Sequence, residues 1–440
     1  MQILCWVHIL FGINQVFTQH LANKKADLDT LRLVHAIWRH GDRTPSVLIP
    51  TDVNNTEETW EIGLGELTKL GLQQEFRLGR FLRERYDGFL SKKYSPFEIY
   101  VRSSDYNRTL ASAQANMAGL FSPTDEEIFM PDLKWRPIPV HTIPKYLDRL
   151  FYDKILCPNA EAELNRVYEE DAKVKQIERE NANMLRYLGE KSGLGKIPIP
   201  LKDMWNLFDP LNSIASHPED HDLPSWVNQT IKDEIWRLYD LCCTFLYSTN
   251  ILARLRAGPL FAEVLNRMKS KVQNTLDSRE KFYAYSSHDT SVAGILAGFG
   301  IFPEIFPLYA TLVLVEMHQK DSQNIVRIFY KNETDQPKMF EYEIPGCKTP
   351  CTLEKLEEVR KHVIPLNWES ECGLVNWYDI EADTYLYIIV ILSLVCILLT
   401  LQMVNMTLAN RRFHKALKGG YKSQSRRRLL DVEEEDPYPE

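Results

Sequence analysis

The pattern of apolar and polar positions along this chain predicts strands that end in charge. Leu31 to Arg39 (LRLVHAIWR) is an apolar run that stops abruptly at Arg39, His40, Gly41, Asp42 and Arg43 and breaks at Pro45, as expected of a buried strand entering a loop. Phe97 to Val101 (FEIYV) reads as another strand and again delivers a cation, Arg102. Ser103, Ser104 and Asp105 follow it and can cap a helix from Tyr106 to about Leu120. Phe282 to Tyr285 (FYAY) repeats the arrangement, running into Ser286, Ser287, His288 and Asp289 before an apolar helix from about Thr290 to Phe299. Open α/β sheets bind ligands beyond the carboxyl ends of their strands, so these strand ends are expected to converge on one site.

The remaining periodicity fills in the architecture. Leu67, Leu70, Leu78, Phe81 and Leu82 have the spacing of a helix over Gly65 to Tyr86 that covers a sheet. Thr311 to Met317 and Ile325 to Tyr330 read as strands completing that sheet, while Asp132 to Pro144 is extended and proline-punctuated. From about Glu161 to Glu190 the chain is charged and helix-forming, Leu201 to Pro224 reads as loop-rich, and Ile231 to Leu255 is helical again. The expected fold class is α/β, with a three-layer α/β/α core and a mostly helical cap inserted over about 147–251.

Two apolar segments bracket this unit. Residues 1–19 have the short hydrophobic core of a signal peptide. Tyr385 to Leu408 is uncharged and, at about 24 residues, long enough to cross a bilayer as one C-terminal helix. Arg411, Arg412, Lys415, Lys418, Lys422 and Arg426 to Arg428 follow the span, whereas Asp379, Glu381 and Asp383 precede it. The positive-inside rule therefore predicts a type I membrane protein, with residues 20–384 luminal or extracellular and a cytosolic tail over 409–440. That tail, where RRR gives way to EEED and prolines, is expected to be disordered.

Composition adds exclusions. A net charge of −8 argues against a nucleic-acid partner, and the 440 residues contain neither a Gly-rich phosphate loop nor zinc-spaced Cys and His. Outside the two apolar segments stand Cys157, Cys242, Cys243, Cys347, Cys351 and Cys372, an even set that suits disulfides in an oxidising compartment. Sequons at Asn54, Asn228 and Asn332 fit glycosylation on a secretory route, while those at Asn107 and Asn405 fall in a site segment and in the span.

Two guanidinium forks around an imidazole suit a phosphate, which makes His40 the candidate nucleophile. The string RHGDRTP (Arg39 to Pro45) resembles the RHGxRxP signature of the histidine phosphatase superfamily, acid phosphatase branch. Leu67, Thr68 and Gly71 match an LTxxG string of the same relatives, and the likeness extends from about Leu31 to Gly373. It implies a phosphomonoesterase without a metal or cofactor, in which His40 carries a covalent phosphohistidine and Asp289 protonates the leaving oxygen. Arg39, Arg43, Arg102 and His288 would hold the phosphoryl oxygens. The resemblance also implies disulfides Cys157 with Cys372 and Cys347 with Cys351, and a possible homodimer. Rival readings are an inositol-phosphate phosphatase or phosphomutase of the same superfamily, or a tethered ectodomain that keeps only the fold.

Departures from the family pattern are local. Asn107 replaces the second Asp of the RSTDxDRT string, and Ser213 and Leu312 stand where a further disulfide would be. Cys242 and Cys243 have no family counterpart and are open to three states: free, vicinally paired or intermolecular. Asp42 is expected to be an ion-pair partner inside the arginine cluster. His217 to Asp222 (HPEDHD) reads as a solvated loop rather than a metal site. His35 is expected to be a satisfied structural histidine, and His141 to line the phosphate pocket. The tail motifs support neither the lysosome nor the cell surface over the other.

Overall fold

The computed structural model describes residues 2–4, 18–151, 157–302, 305–332, 338–374 and 382–430. Most of the expected signal segment and the acidic end of the tail lie outside the described residues. The chain divides into two compact units, Met1–Leu374 and Val375–Glu440.

In the first unit a sheet of eight strands forms in the order β1-β2-β8-β7-β6-β3-β5-β4. The strands are β1 (Gln2–Leu4), β2 (Thr18–Leu21), β3 (Leu31–Arg39), β4 (Ile99–Ser103), β5 (Phe282–Ser287), β6 (Leu312–Lys320), β7 (Gln323–Lys331) and β8 (Phe340–Tyr342). β3, β5 and β4 run parallel, with Arg39 opposite Ser287 and Ser103 opposite Ser286, while β6 and the strands beyond it pair antiparallel. The carboxyl ends of the three charge-terminated strands therefore lie side by side. The short strands β1, β2 and β8 have no counterpart in the sequence pattern, because three or four residues are too few to show a period.

β3 is buried on both faces, and its alternation divides the core. Leu33 and Ile37 pack with Phe261, Val264, Val292 and Ile295, whereas Val34, Ala36 and Trp38 pack with Leu78, Leu82, Ala113 and Met117. The first group covers the sheet with helices Gly258–Val272 and Asp289–Gly298, the second with α1 (Lys69–Arg85) and α2 (Asn107–Leu120). This is the three-layer α/β/α sandwich the hydrophobic pattern implies. α1 and α2 touch backbone to backbone through glycines. A Cβ on Gly79 would lie 2.0 Å from the Asn116 carbonyl oxygen, and one on Gly119 would lie 2.1 Å from that of Phe76.

Between β4 and β5 the chain builds α3 (Pro158–Glu170), α4 (Ala172–Glu180), α5 (Ala182–Ser192), α6 (Trp205–Ser216) and α7 (Gln229–Thr244). Their apolar faces share a second core that includes Leu164, Val174, Leu188, Leu207, Leu211 and Ile235. The charged, helix-forming stretch is three helices, the second of them started by Asp171, whose side chain accepts from Lys173 N. The segment expected to be loop-rich contains α6, whose Leu207, Phe208, Leu211 and Ile214 make a buried stripe strong enough to carry Pro210 inside the helix. Cys157 is bonded to Cys372 and Cys347 to Cys351, as the resemblance implied, while Cys242 and Cys243 are buried thiols outside any disulfide.

The second unit contains a helix, Ala382–Leu430, whose stretch Thr384–Lys418 is long and apolar enough to cross a membrane. Contrary to the expected disorder, the helix continues through Arg426 to Arg428, since Lys, Arg, Leu and Ala favour helix and no proline intervenes before Leu430.

Gly79→Ala should lower stability by about 1–3 kcal/mol through overpacking at the α1–α2 contact. Thermal unfolding of the purified protein checks this, and an unchanged midpoint would contradict the contact.

Candidate active site

The site forms where β3, β5 and β4 end together. His40 follows β3 directly, and its backbone N–H donates to the Ser287 carbonyl at 2.9 Å, tying it to the end of β5. Its carbonyl accepts from Ala310 N at 3.1 Å, where Ala310 takes a left-handed φ of 51°. The His40 and His288 rings meet edge to face with centroids 5.6 Å apart. His288 Nε2 lies 2.9 Å from Ser104 Oγ, which links the ends of β5 and β4.

The tautomer of His40 follows from its partner. Nδ1 is 2.8 Å from the Gly41 carbonyl oxygen, and a carbonyl only accepts. Nδ1 therefore carries the proton, leaving Nε2 with a free lone pair. Burial pushes the pKa of His40 well below 6.5, and Arg108, Arg39, Arg43 and His288 push it further. His288 is lowered by burial and by the same arginines together with Lys145. A neutral imidazole is thus held among buried guanidiniums, as phosphoryl transfer to nitrogen requires.

Each guanidinium is aimed by a specific contact. Arg39 Nη2 pairs with Asp289 Oδ2 at 3.0 Å, Nη1 donates to the Pro307 carbonyl at 2.7 Å, and the guanidinium lies 4.4 Å above the Tyr309 ring. Arg43 pairs with Asp209 of α6 and donates to its neighbour Thr44 O at 2.9 Å. Asp289 is the first residue of its helix, and its Oδ1 accepts from Thr290 N at 2.7 Å. Gly41 is needed here for close approach, since a Cβ would lie 2.4 Å from the Gly71 carbonyl oxygen at the start of α1.

The structure adds partners to several of these residues and corrects others. Arg102 donates Nη2 to Asp148 Oδ1 at 2.6 Å, just as Arg39 and Arg43 meet Asp289 and Asp209, and Arg108 is a further cation that contributes to the field at His40. Arg108 lies in the first turn of α2, where side chains lean back toward the helix start and hence toward the strand ends. Burial and the neighbouring Arg43 bring its own pKa down to about 10. Asp42 does not serve the arginines; its Oδ1 takes Thr68 Oγ1 and His217 Nε2, each at 2.6 Å. His217 was expected in a solvated loop. It follows α6 directly, and its hydrogen bond to Asp42 raises its pKa above 6.5. His221 stacks on Trp60 at 3.8 Å and its Nδ1 is 3.0 Å from Asn55 Oδ1.

His35 is buried but not satisfied. Neither ring nitrogen has a partner among the described residues; the ring stacks on Tyr283, and burial lowers its pKa to about 3. His141 is exposed, stacks on Tyr100 at 4.9 Å, and serves the site through its backbone, which bridges to Arg102. Asn54 and Asn228 are exposed and Asn332 half-buried. Among the described residues no group of His, Cys, Asp and Glu is placed to hold a metal ion. A cleft of about 1020 Å³ on the outer side of α1, lined by Lys24, Lys25, Phe76, Arg77 and Arg80, shares no residue with this site.

Residues 30–331 match the family model for the histidine phosphatase superfamily, branch 2. The chain belongs to that superfamily. A Caenorhabditis elegans protein bearing an acid phosphatase name is 42% identical over 386 residues, covering 87% of each chain. Human prostatic acid phosphatase is 35% identical over 360 residues, 80% of this chain and 91% of that protein. Human lysosomal acid phosphatase is 34% identical over 375 residues, 84% and 85% respectively. The fold is shared with a Hafnia alvei phytase, at TM-score 0.60 and 17% identity over 78% of this chain and 98% of that one. This member of the superfamily is a phosphomonoesterase of the acid phosphatase family.

Folding favours the charged form of His217, because its pKa is raised above 6.5. The stabilisation from the His217–Asp42 pair is therefore complete below that value and disappears as pH climbs through the folded-state pKa. His217→Gln should accordingly lower the unfolding midpoint most under acidic conditions, with the gap to the parent closing at alkaline pH. A gap that is constant with pH would refute the pairing.

Proposed function

We propose that the enzyme hydrolyses phosphate monoesters by two displacements at one phosphorus, using His40 as nucleophile and Asp289 as proton donor. The observation that carries this reading is the neutral His40 ring, whose protonated Nδ1 faces the Gly41 carbonyl. In the first displacement Nε2 forms a bond to phosphorus as the ester P–O bond breaks, and Asp289 gives the departing oxygen its proton. In the second, water attacks the phosphohistidine, Asp289 takes the proton, and His40 is released unchanged.

Arg39, Arg43 and Arg102 supply positive charge for the three equatorial oxygens, with His288 beside them and Arg108 as a further cation. A phosphate dianion competes with Asp289 for Arg39.

The proposal includes the placement of the chain. A signal segment over 1–19, a luminal or extracellular catalytic unit, a span over 385–408 and a cytosolic tail suit the apolar helix and the basic residues after it. Glycans on Asn54, Asn228 and Asn332 are part of the same layout. So is a homodimer, for which the segment leading to the outer edge of β4 offers exposed Phe129, Met130 and Leu133.

Rapid quenching with an aryl phosphate should trap acid-labile phosphate on His40, and His40→Ala should lose both the label and about 10³-fold or more of kcat. Turnover unchanged in His40→Ala would defeat the nucleophile. Arg102→Ala and Arg108→Ala should each cost about 10²–10³-fold in kcat/KM, as loss of a charge-stabilising donor does. Arg102→Ala also strands Asp148 and should cost about 3–5 kcal/mol of stability. Undiminished kcat/KM in either variant would remove that arginine from the cradle.

A further inference from the structure

Tyr106 immediately precedes α2 and stands against the site, with its ring edge-on to His288 at 4.9 Å between centroids. Two cations sit over the same ring: the Arg108 guanidinium carbon at 4.6 Å and Lys145 Nζ at 4.0 Å from its centroid. A cation within about 6 Å of an aromatic face is held by the ring quadrupole without being neutralised. Neither Arg108 nor Lys145 makes an ion pair among the described residues, in contrast to Arg39 and Arg43, which face Asp289 and Asp209.

The position of Lys145 is built rather than incidental. It opens the turn Lys145–Leu147, four residues after His141, whose backbone is fixed to β4 by His141 N to Val101 O at 2.9 Å and Ser103 N to His141 O at 2.8 Å. Its side chain is exposed, so an anion reaching it pays little to displace water. On the helix start, Asn107 gives its amide to Glu66 Oε1 at 2.9 Å, which engages that nearby carboxylate. The result is a ladder from His288 through Tyr106 to an exposed ammonium, beside the place where the ester group must lie.

We propose that Lys145, seated on Tyr106, forms a second anion subsite next to the transferred phosphoryl group, favouring monoesters that carry another anionic group a few atoms from the ester oxygen. This rests on the reading of His40 as nucleophile and of Arg39, Arg43, Arg102 and Arg108 as the cradle. Arg108 is committed to the transferred group, so Lys145 is the cation left to meet the second charge. A bisphosphate is the simplest such substrate, and the subsite acts on binding rather than on the displacement at phosphorus.

The test compares propane-1,3-diol monophosphate with propane-1,3-diol bisphosphate, using full-length protein in detergent. Lys145→Met should lower kcat/KM for the bisphosphate about 5- to 10-fold, through KM, while changing the monophosphate less than about twofold. Lys145→Arg should restore the preference, and about 0.5 M salt should erode it in the parent enzyme. Equal losses on both substrates, or no loss on the bisphosphate, would overturn the subsite. Absence of phosphohistidine with either substrate in the parent enzyme would instead overturn the catalytic reading and the subsite with it.

Discussion

The parallel register of β3, β5 and β4 is the constraint on which the site depends. Because Arg39 pairs across from Ser287 and Ser103 from Ser286, the residues just beyond each strand emerge at one height. His40, Ser104, His288 and Asp289 are thereby placed within reach of one another from three distant parts of the chain. A slip of one residue in any of these strands would exchange its two faces, moving Ile37 and Trp38 into each other's cores as well as displacing the chemistry. The two hydrophobic cores therefore enforce the geometry of the site.

Charge compensation then decides what each arginine does. Arg39, Arg43 and Arg102 each meet an aspartate from another segment, namely Asp289, Asp209 and Asp148. Burying a guanidinium without a partner is expensive, and these pairs keep the cluster stable without anion. Arg108 differs: it is half-buried beside Arg43, without an ion pair among the described residues, and its pKa is brought down to about 10 although Asp289 and Asp209 act on it from a distance. A phosphate dianion placed there relieves repulsion that these aspartates offset only in part, so the least compensated cation gains most from substrate.

What the sequence revealed and what it concealed follow from the same physics. Strand ends that carry charge are local features, so His40, Arg39, Arg43, His288 and Asp289 were legible along the chain, as was the three-layer fold from the alternation in β3. Arg108 was missed although it lies within the family string, because a helix must start at Asn107 before its direction is known. Asp209, Asp148 and His217 were not legible, because a carboxylate or imidazole in the cap carries no mark of a partner more than forty residues away. The buried, unpartnered His35 was missed for a related reason: its polarity suggests a hydrogen bond, while its neighbours Tyr283 and Tyr285 offer it ring faces.

α6 shows why the cap cannot vary freely. Asp209 on this helix holds Arg43, and His217 at its carboxyl end holds Asp42, so both flanks of the loop after His40 are fastened to one cap element. Asp42 also receives the Thr68 hydroxyl that caps α1, which joins the cap, the loop after His40 and the sheet-covering helix through a single carboxylate. Substrate-selecting changes elsewhere in the cap leave these contacts alone, but rotating or shifting α6 would move Arg43 and strand a buried Asp42 together. The helix persists despite Pro210 because its buried stripe and these polar contacts at Asp209 and His217 hold it from opposite sides. The loop after His40 is thus coupled to the cap through α6, whereas the segment Lys145–Leu147, which meets the site at the Tyr106 ring, is free of these ties and has more freedom to change.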